Sequence, residues 1–420
     1  MDVDTGVLQA MQSEERLQAA PSRLIEAVGV SGYRSVPHEE LVEVELKPLT
    51  VFVGGLDSGK SLVINALRLF SETVMAGRPV GFLPERDSNR GRPIPPLIMY
   101  RLPPEVLSRI FSMDELTRLY PATQAVNIMQ QLKEIRRKQY FAPTILFEPR
   151  EEDYEIVAFI DPYRLGIRAR GVLRRIVSER APEALNLSRQ LTNVFKHIAS
   201  LIDYKPVALL DLPEEFRGVP RDDPLNPAST YYWLLLSAYP SEDWFRENLL
   251  HYVSRVTPYR SIRLLVGEAE GGRLRLGVQL LDPLLNEWRL LDAAGGAVKA
   301  MLPLLISLAS ATPGSMILAD SLGRCLDPGS VERLAAALVD TVAKGVQVVV
   351  STSREDVVYS LAKNSVEKIG EENAVFYAVS RRPGDGAPVF HRFGPRIPVR
   401  DADAVKVLES LGFRTITSSP

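Results

Sequence analysis

Between positions 54 and 61 the chain reads Gly54-Gly55-Leu56-Asp57-Ser58-Gly59-Lys60-Ser61, followed by Leu62. A glycine, four residues, then Gly-Lys-Ser is the spacing of a phosphate-binding loop. The glycines let the main chain curl until consecutive N–H groups point inward at phosphate oxygens, and a helix starting near Lys60 adds its positive dipole end. Lys60 would neutralise the β- and γ-phosphates of a nucleotide, and the Ser61 hydroxyl would ligate Mg2+. That metal needs a second protein group, usually an aspartate ending a neighbouring apolar strand. Asp320, closing Met316-Ile317-Leu318-Ala319, meets the requirement. The plainer alternatives are a glycine-rich strand-to-helix turn without a ligand, and an ordinary cap at Asp320.

Both groups depend on the elements that carry them. The apolar run Leu49–Val53 predicts a buried strand entering the loop, and Leu62–Phe70 predicts the helix leaving it. Short strands are expected at 24–30 and 41–45. Downstream, 261–267, 273–280 and 288–291 predict a β meander, with Gly271-Gly272 turning its first hairpin. A helix is expected over 297–311, a strand over 316–320, a helix opened by Asp327-Pro328 and closed by Gly345, and a strand over 346–351. Pro206–Leu212 predicts a further strand, and 401–411 a final helix capped by Gly412. Alternating strands and helices imply an α/β fold with a mixed or largely parallel sheet covered by helices, plus an antiparallel β portion.

The sequence resembles the ABC-type ATPase heads of the RecF, SMC and OLD-like group. Gly32-Tyr33-Arg34-Ser35-Val36, then Leu49–Gly54 and the phosphate loop, look like that group's N-terminal block. Gly295-Gly296-Ala297-Val298 looks like its signature segment, Asp320 to Pro328 like its Walker B and D-loop block, and Val348–Ser353 like its switch strand. The resemblance implies an ATP-sandwiching dimer, with ATP and Mg2+ held at Gly54–Leu62 and Asp320 of one head facing Gly295 and Gly296 of another. It also exposes departures. Ser321 stands where the group has a water-orienting glutamate, and Ser353 where it has a switch histidine. Ala294 and Ala297 replace the signature serine and second glycine, and Asp327 replaces a D-loop histidine. Losing the glutamate would lower hydrolysis on the order of 10²- to 10⁴-fold. Asp327, Glu355 and Asp356 are the nearby carboxylates that could substitute.

The remaining composition sets bounds. At 420 residues, with 45% apolar and 24% charged side chains, the chain is an ordinary globular sequence. Its net charge of −2 excludes a uniformly basic nucleic-acid binder. One cysteine and four scattered histidines leave no zinc cage and suit a reducing cytoplasm. No run is long and apolar enough to span a membrane. The implied organisation is a tail (1–22), a head N-lobe with the phosphate loop (23–76), an inserted, mainly helical Arg-rich subdomain (77–201), a head C-lobe (202–380) and a C-terminal extension (381–420). Helices are expected in the insertion at 113–119, 123–140 and 185–201, with one strand at 154–160. Its basic stretch, Arg164 to Lys196, is a candidate nucleic-acid surface or an ion-pair partner for the acidic run Glu148 to Glu155. The expected function is a Mg·ATP-binding head, weak or inactive in hydrolysis, that closes a homodimer or a contact with a partner ATPase. The alternatives are an active ATP hydrolase of DNA repair or phage defence, and a nucleic-acid-binding or structural module with a vestigial loop.

Overall fold

The computed structural model describes residues 22–76, 82, 87–88, 95–103, 144–149, 153–160, 163–170, 172–178, 196, 198–206, 215–216, 242–269 and 273–417. In chain order these form β1 (Ala27–Ser31), β2 (Val42–Glu45), β3 (Leu49–Gly54), α1 (Leu62–Ala76), β4 (Leu97–Arg101), β5 (Thr144–Pro149), β6 (Asp153–Ile160), β7 (Tyr163–Arg170), β8 (Val172–Ser178), β9 (Ile202–Pro206) and β10 (Glu215–Phe216). There follow α2 (Asp243–Val256), β11 (Ile262–Ala269), β12 (Arg273–Asp282), β13 (Glu287–Leu290), α3 (Gly296–Ser310), β14 (Met316–Asp320), α4 (Pro328–Ala343), β15 (Gln347–Thr352), α5 (Glu355–Lys368), β16 (Ala374–Arg381), β17 (Pro388–Phe393) and α6 (Ala402–Ser410).

The central sheet has six strands in the order β17-β16-β3-β15-β14-β9. All its pairs are parallel except the β16–β17 edge. Parallel sheets need cover on both faces, and the strand residues divide accordingly. Leu49, Val51, Val53, Ile317, Ala319, Val348 and Val350 pack toward α2, α3, α4 and α5. Phe52, Met316, Leu318 and Val349 pack on the opposite side with α1. That side is closed by a second, seven-stranded antiparallel sheet in the order β2-β1-β4-β5-β6-β7-β8. Helix α1 therefore lies between two sheets. Phe70 meets Tyr100 of β4 at 4.8 Å and Phe147 of β5 at 5.7 Å between ring centroids, and the buried Tyr100 hydroxyl donates to the Ala66 carbonyl at 2.7 Å.

The two sheets are also joined by one buried side chain. Gln347, at the start of β15, accepts from the Leu24 and Ile25 amides at 2.7 and 3.0 Å and donates to the Ile25 and Lys47 carbonyls at 2.8 and 3.2 Å. The β meander stands as its own antiparallel sheet, with β12 pairing β10, β11 and β13. Gly271 and Gly272 lie outside the described residues, between Ala269 and its register partner Arg273.

The described part of the insertion is mainly strand, where the sequence suggests one strand at 154–160. Among its described residues, 97–101, 144–149, 153–160, 163–170 and 172–178 are strands of the seven-stranded sheet. The predicted helices at 113–119 and 123–140 lie outside the described residues. So does 185–201, except that Lys196 and Ile198–Ser200 are helical and Leu201 is in a turn. The reason is legible in Tyr163–Arg170, where Leu165, Ile167 and Ala169 alternate with Arg164, Arg168 and Arg170. That two-residue period belongs to a strand, whereas the charge density reads as a solvated helix face. The strand expected at 206–212 begins earlier, as β9 at 202–206, and 207–212 lie outside the described residues. Sequence reading also passes over α2, whose Phe245, Leu249, Tyr252, Val253 and Val256 form its buried stripe.

Candidate functional site

The loop Gly55–Ser61 leaves the end of β3 and enters α1, as its spacing predicts. Its tightness depends on two glycines. A Cβ at Gly54 would lie 2.3 Å from Ser58 Oγ, and Gly59 has φ +96 with Pro388 2.7 Å from where its Cβ would sit. Lys60 is half-buried and donates from Nζ to the Gly55 carbonyl at 2.8 Å, so the ammonium spans its own loop. Burial pushes its pKa below the ordinary lysine range, while Asp320 and Asp57 pull it back up. A phosphate beside it would relieve that desolvation. Ser58 Oγ is buried with no hydrogen-bond partner, which a packed turn without a ligand would not favour.

Asp320 ends β14, two strands from β3, with β15 between them. The Ser61 hydroxyl donates to Asp320 Oδ1 at 2.7 Å across 259 residues of sequence. The two groups assigned to Mg2+ are thus adjacent. A second hydroxyl, not singled out from the sequence, completes the arrangement. Ser351 is fully buried near the end of β15. It donates to the same Asp320 oxygen and accepts the Ser321 amide at 2.9 Å. Oriented this way, the carboxylate keeps Oδ2 free of these two hydroxyls. A polar residue closing the apolar run 348–350 is the only sequence signal for it. Ser351→Ala is expected to raise the Mg2+ concentration needed for half-maximal ATP binding roughly tenfold, without unfolding the protein. A Mg2+ titration at fixed ATP checks this, and an unchanged midpoint would reduce Ser351 to packing.

The segment after Asp320 forms a compact turn. Ser321 (φ +60), Gly323 (φ +88) and Cys325 (φ +66) all take left-handed backbone. Arg354 holds the turn by donating to the Gly323 and Leu326 carbonyls, and Thr352 Oγ1 donates to the Leu322 carbonyl at 2.9 Å. Ser353, at the position of the group's switch histidine, is exposed between β15 and α5.

The carboxylates able to replace the missing glutamate have other partners. Asp327 caps α4 by accepting from the Ser330 amide at 2.9 Å and hydroxyl at 2.6 Å. The Ser330 hydroxyl, then its amide, hold the Asp327 pKa below its ordinary range. Glu355 accepts the Ile416 amide at 3.1 Å, and Asp356 pairs with Arg354.

Gly295 and Gly296 begin α3 in an exposed position, with no side-chain cap. A Cβ on Gly295 would meet nothing within 4 Å, so the fold itself does not require glycine there. Helix α3 is joined to the start of β14 by a short turn. It packs beside α2 and β9. No hydrogen bond found among the described residues links it to the loop. No group of three metal-ligating side chains occurs among the described residues, and no described helix is long and apolar enough to cross a membrane.

No protein-family model matches the sequence, and comparison with curated proteins finds no relative. Solved structures do resemble it. An SMC head bound to the C-winged helix domain of ScpA aligns over 88% of this chain and 97% of its own, at 15% identity and a TM-score of 0.50. The Smc head domain from Pyrococcus furiosus, with an extended coiled coil and the C-terminal domain of ScpA bound, aligns over 93% and 99% at 13% identity and a TM-score of 0.48. The SMC head domain from Thermotoga maritima aligns over 88% and 98% at 12% identity and a TM-score of 0.41. At these identities the likeness is one of architecture, and by the first of them the chain is built on the fold of an SMC head, an ABC-type P-loop head.

Proposed function

We propose that this chain is a Mg·ATP-binding ABC-type head with weak or no hydrolysis of its own, which uses nucleotide to close a contact with a second copy or a partner ATPase. The observation that carries the reading is the Ser61–Asp320 hydrogen bond, which joins the loop and the β14 carboxylate although they lie 259 residues apart. In this reading the loop amides and Lys60 bind the triphosphate, while Ser61 and Asp320 hold the metal. Bound Mg·ATP supplies a concentrated negative charge at the exposed end of the sheet. Gly295 and Gly296, bare and uncapped at the start of α3, suit the recognition of such a charge on another molecule. An SMC head of this fold was crystallised with a protein partner, which favours a partner contact as the output.

Weak hydrolysis is supported by what surrounds Ser321. Its hydroxyl cannot act as a carboxylate base, and Asp327, Glu355 and Asp356 each serve a structural bond instead. In the register of the second sheet, Arg168 stands opposite Glu155 and Arg170 opposite Asp153.

Purified protein is expected to bind ATP in a Mg2+-dependent way while releasing phosphate only slowly. Ser321→Glu should raise turnover on the order of tenfold, a part of what a positioned carboxylate provides, because glutamate must adopt left-handed backbone there. Brisk phosphate release by the unmodified protein, with no gain in the variant, would overturn the weak-hydrolysis reading.

A further inference from the structure

We infer that Arg381 is a positioning residue of the phosphate-binding loop, clamped on Asp57 so that the loop can accept a polyphosphate despite the carboxylate it carries. The inference rests on the Mg·ATP reading above.

Asp57 sits at the crest of the loop with φ +63, a conformation that aspartate tolerates better than most side chains. It is 83% exposed at its side chain. Its charge is nonetheless felt inside the site, since it is one of two carboxylates that pull the Lys60 pKa upward. A loop meant to attract phosphate gains nothing from a bare negative charge among its amides. Such a charge would repel the ligand and compete with it for Lys60.

Arg381 answers both problems from a distant part of the chain. In the register of the central sheet, Val379 of β16 stands beside Gly54 of β3, so the last two residues of β16 extend past the point where the loop begins. From there the guanidinium makes a 2.9 Å ion pair from Nη2 to Asp57 Oδ2 and donates from Nε to the Asp57 carbonyl. One contact offsets the charge, and the other fixes the peptide at the left-handed residue. A planar fork suits this two-point grip, which a lysine could not reproduce. The next residue, Arg382, is already committed to Glu40 and Asp385. Exposed ion pairs contribute little to global stability. The effect of Arg381 is therefore expected in ligand affinity and loop order rather than in unfolding.

The test uses the full chain and four proteins: wild type, Arg381→Ala, Asp57→Asn and the double variant. Equilibrium binding of Mg·ATP is measured at constant salt, with hydrogen exchange of the Leu56–Lys60 amides in nucleotide-free protein. Arg381→Ala should weaken ATP roughly five- to tenfold and speed exchange of the loop amides, with an unchanged unfolding midpoint. Asp57→Asn should bind Mg·ATP more tightly than Arg381→Ala, since the carbonyl contact survives and the charge is gone. The double variant should recover most of the affinity lost by Arg381→Ala. Equal affinity in wild type and Arg381→Ala overturns the inference, as does a double variant no better than Arg381→Ala. If the wild type binds no Mg·ATP, the nucleotide reading falls, and the exchange arm still decides: unchanged loop exchange in Arg381→Ala removes the positioning role as well.

Discussion

Lys60→Ala is expected to weaken Mg·ATP binding by at least about 100-fold, enough to remove a titration signal seen with the wild type. Lys60 carries the one ammonium aimed along the loop, and in the ligand-free chain it rests on the Gly55 carbonyl. Its partial burial already holds its pKa below the lysine range. The side chain is therefore kept in a desolvated position that only an anion makes favourable. Charge-assisted hydrogen bonds to phosphate contribute about 1.5–3 kcal/mol each, and direct charge attraction in a partly desolvated site adds to that. Lys60→Arg should not restore binding, because the broad planar guanidinium does not fit where a compact ammonium donates back into its own turn. The folded state should lose little, since only one hydrogen bond goes. Calorimetric titration beside a thermal melt checks both halves. Retained affinity in Lys60→Ala would mean that nucleotide, if bound, sits elsewhere.

Gln347→Leu is expected to be the most destabilising single change, by about 3–5 kcal/mol. The amide makes four hydrogen bonds from a fully buried position. Leucine has similar bulk but leaves the Leu24 and Ile25 amides and the Ile25 carbonyl without this partner. The Lys47 carbonyl keeps the Thr50 hydroxyl. Each buried backbone group left unsatisfied costs about 1–3 kcal/mol, which places the sum among the larger single-residue effects. The damage should concentrate where residues 24–30 meet the central sheet. Denaturant unfolding should show a lower midpoint, and hydrogen exchange should show β1 losing protection before β14. A loss below about 1 kcal/mol would show that the backbone groups find other partners.

Much of the site was readable because local chemistry and local structure coincide there. Gly54–Ser61 lies between an apolar run and a helical pattern, and the structure places it between β3 and α1. Asp320 stands out as a candidate because it ends an apolar strand, and strand ends at one side of a parallel sheet converge. What escaped depends on contacts far apart in sequence. Arg381 reaches Asp57 across 324 residues, and nothing in the composition near either position signals the pair. Ser351 is an unremarkable serine until the strand order puts β15 between β3 and β14. In the insertion the two-residue period of 163–170 is written in the sequence beneath a high arginine density that equally fits a solvated helix face. On α2, Trp244 is 47% exposed while its neighbour Phe245 is buried. Helical phase, not residue type, decides which of the two faces the core.

Helix α1 begins at the phosphate loop and lies sandwiched between the six-stranded and seven-stranded sheets, gripped through Phe70, Tyr100 and Phe147. Mechanically it is a shared axle. Close-packed interiors transmit displacement instead of absorbing it, so any tilt of α1 at its loop end becomes an angular movement of β4 and β5. The antiparallel ribbon β6-β7-β8 lies beyond them in sheet order and would act as the long arm of a lever. Torque applied at that ribbon would return along the same path to Lys60. A spectroscopic distance ruler between Cys325, the sole cysteine, and a second label on β7 would therefore read an angle at one end of the molecule from chemistry at the other.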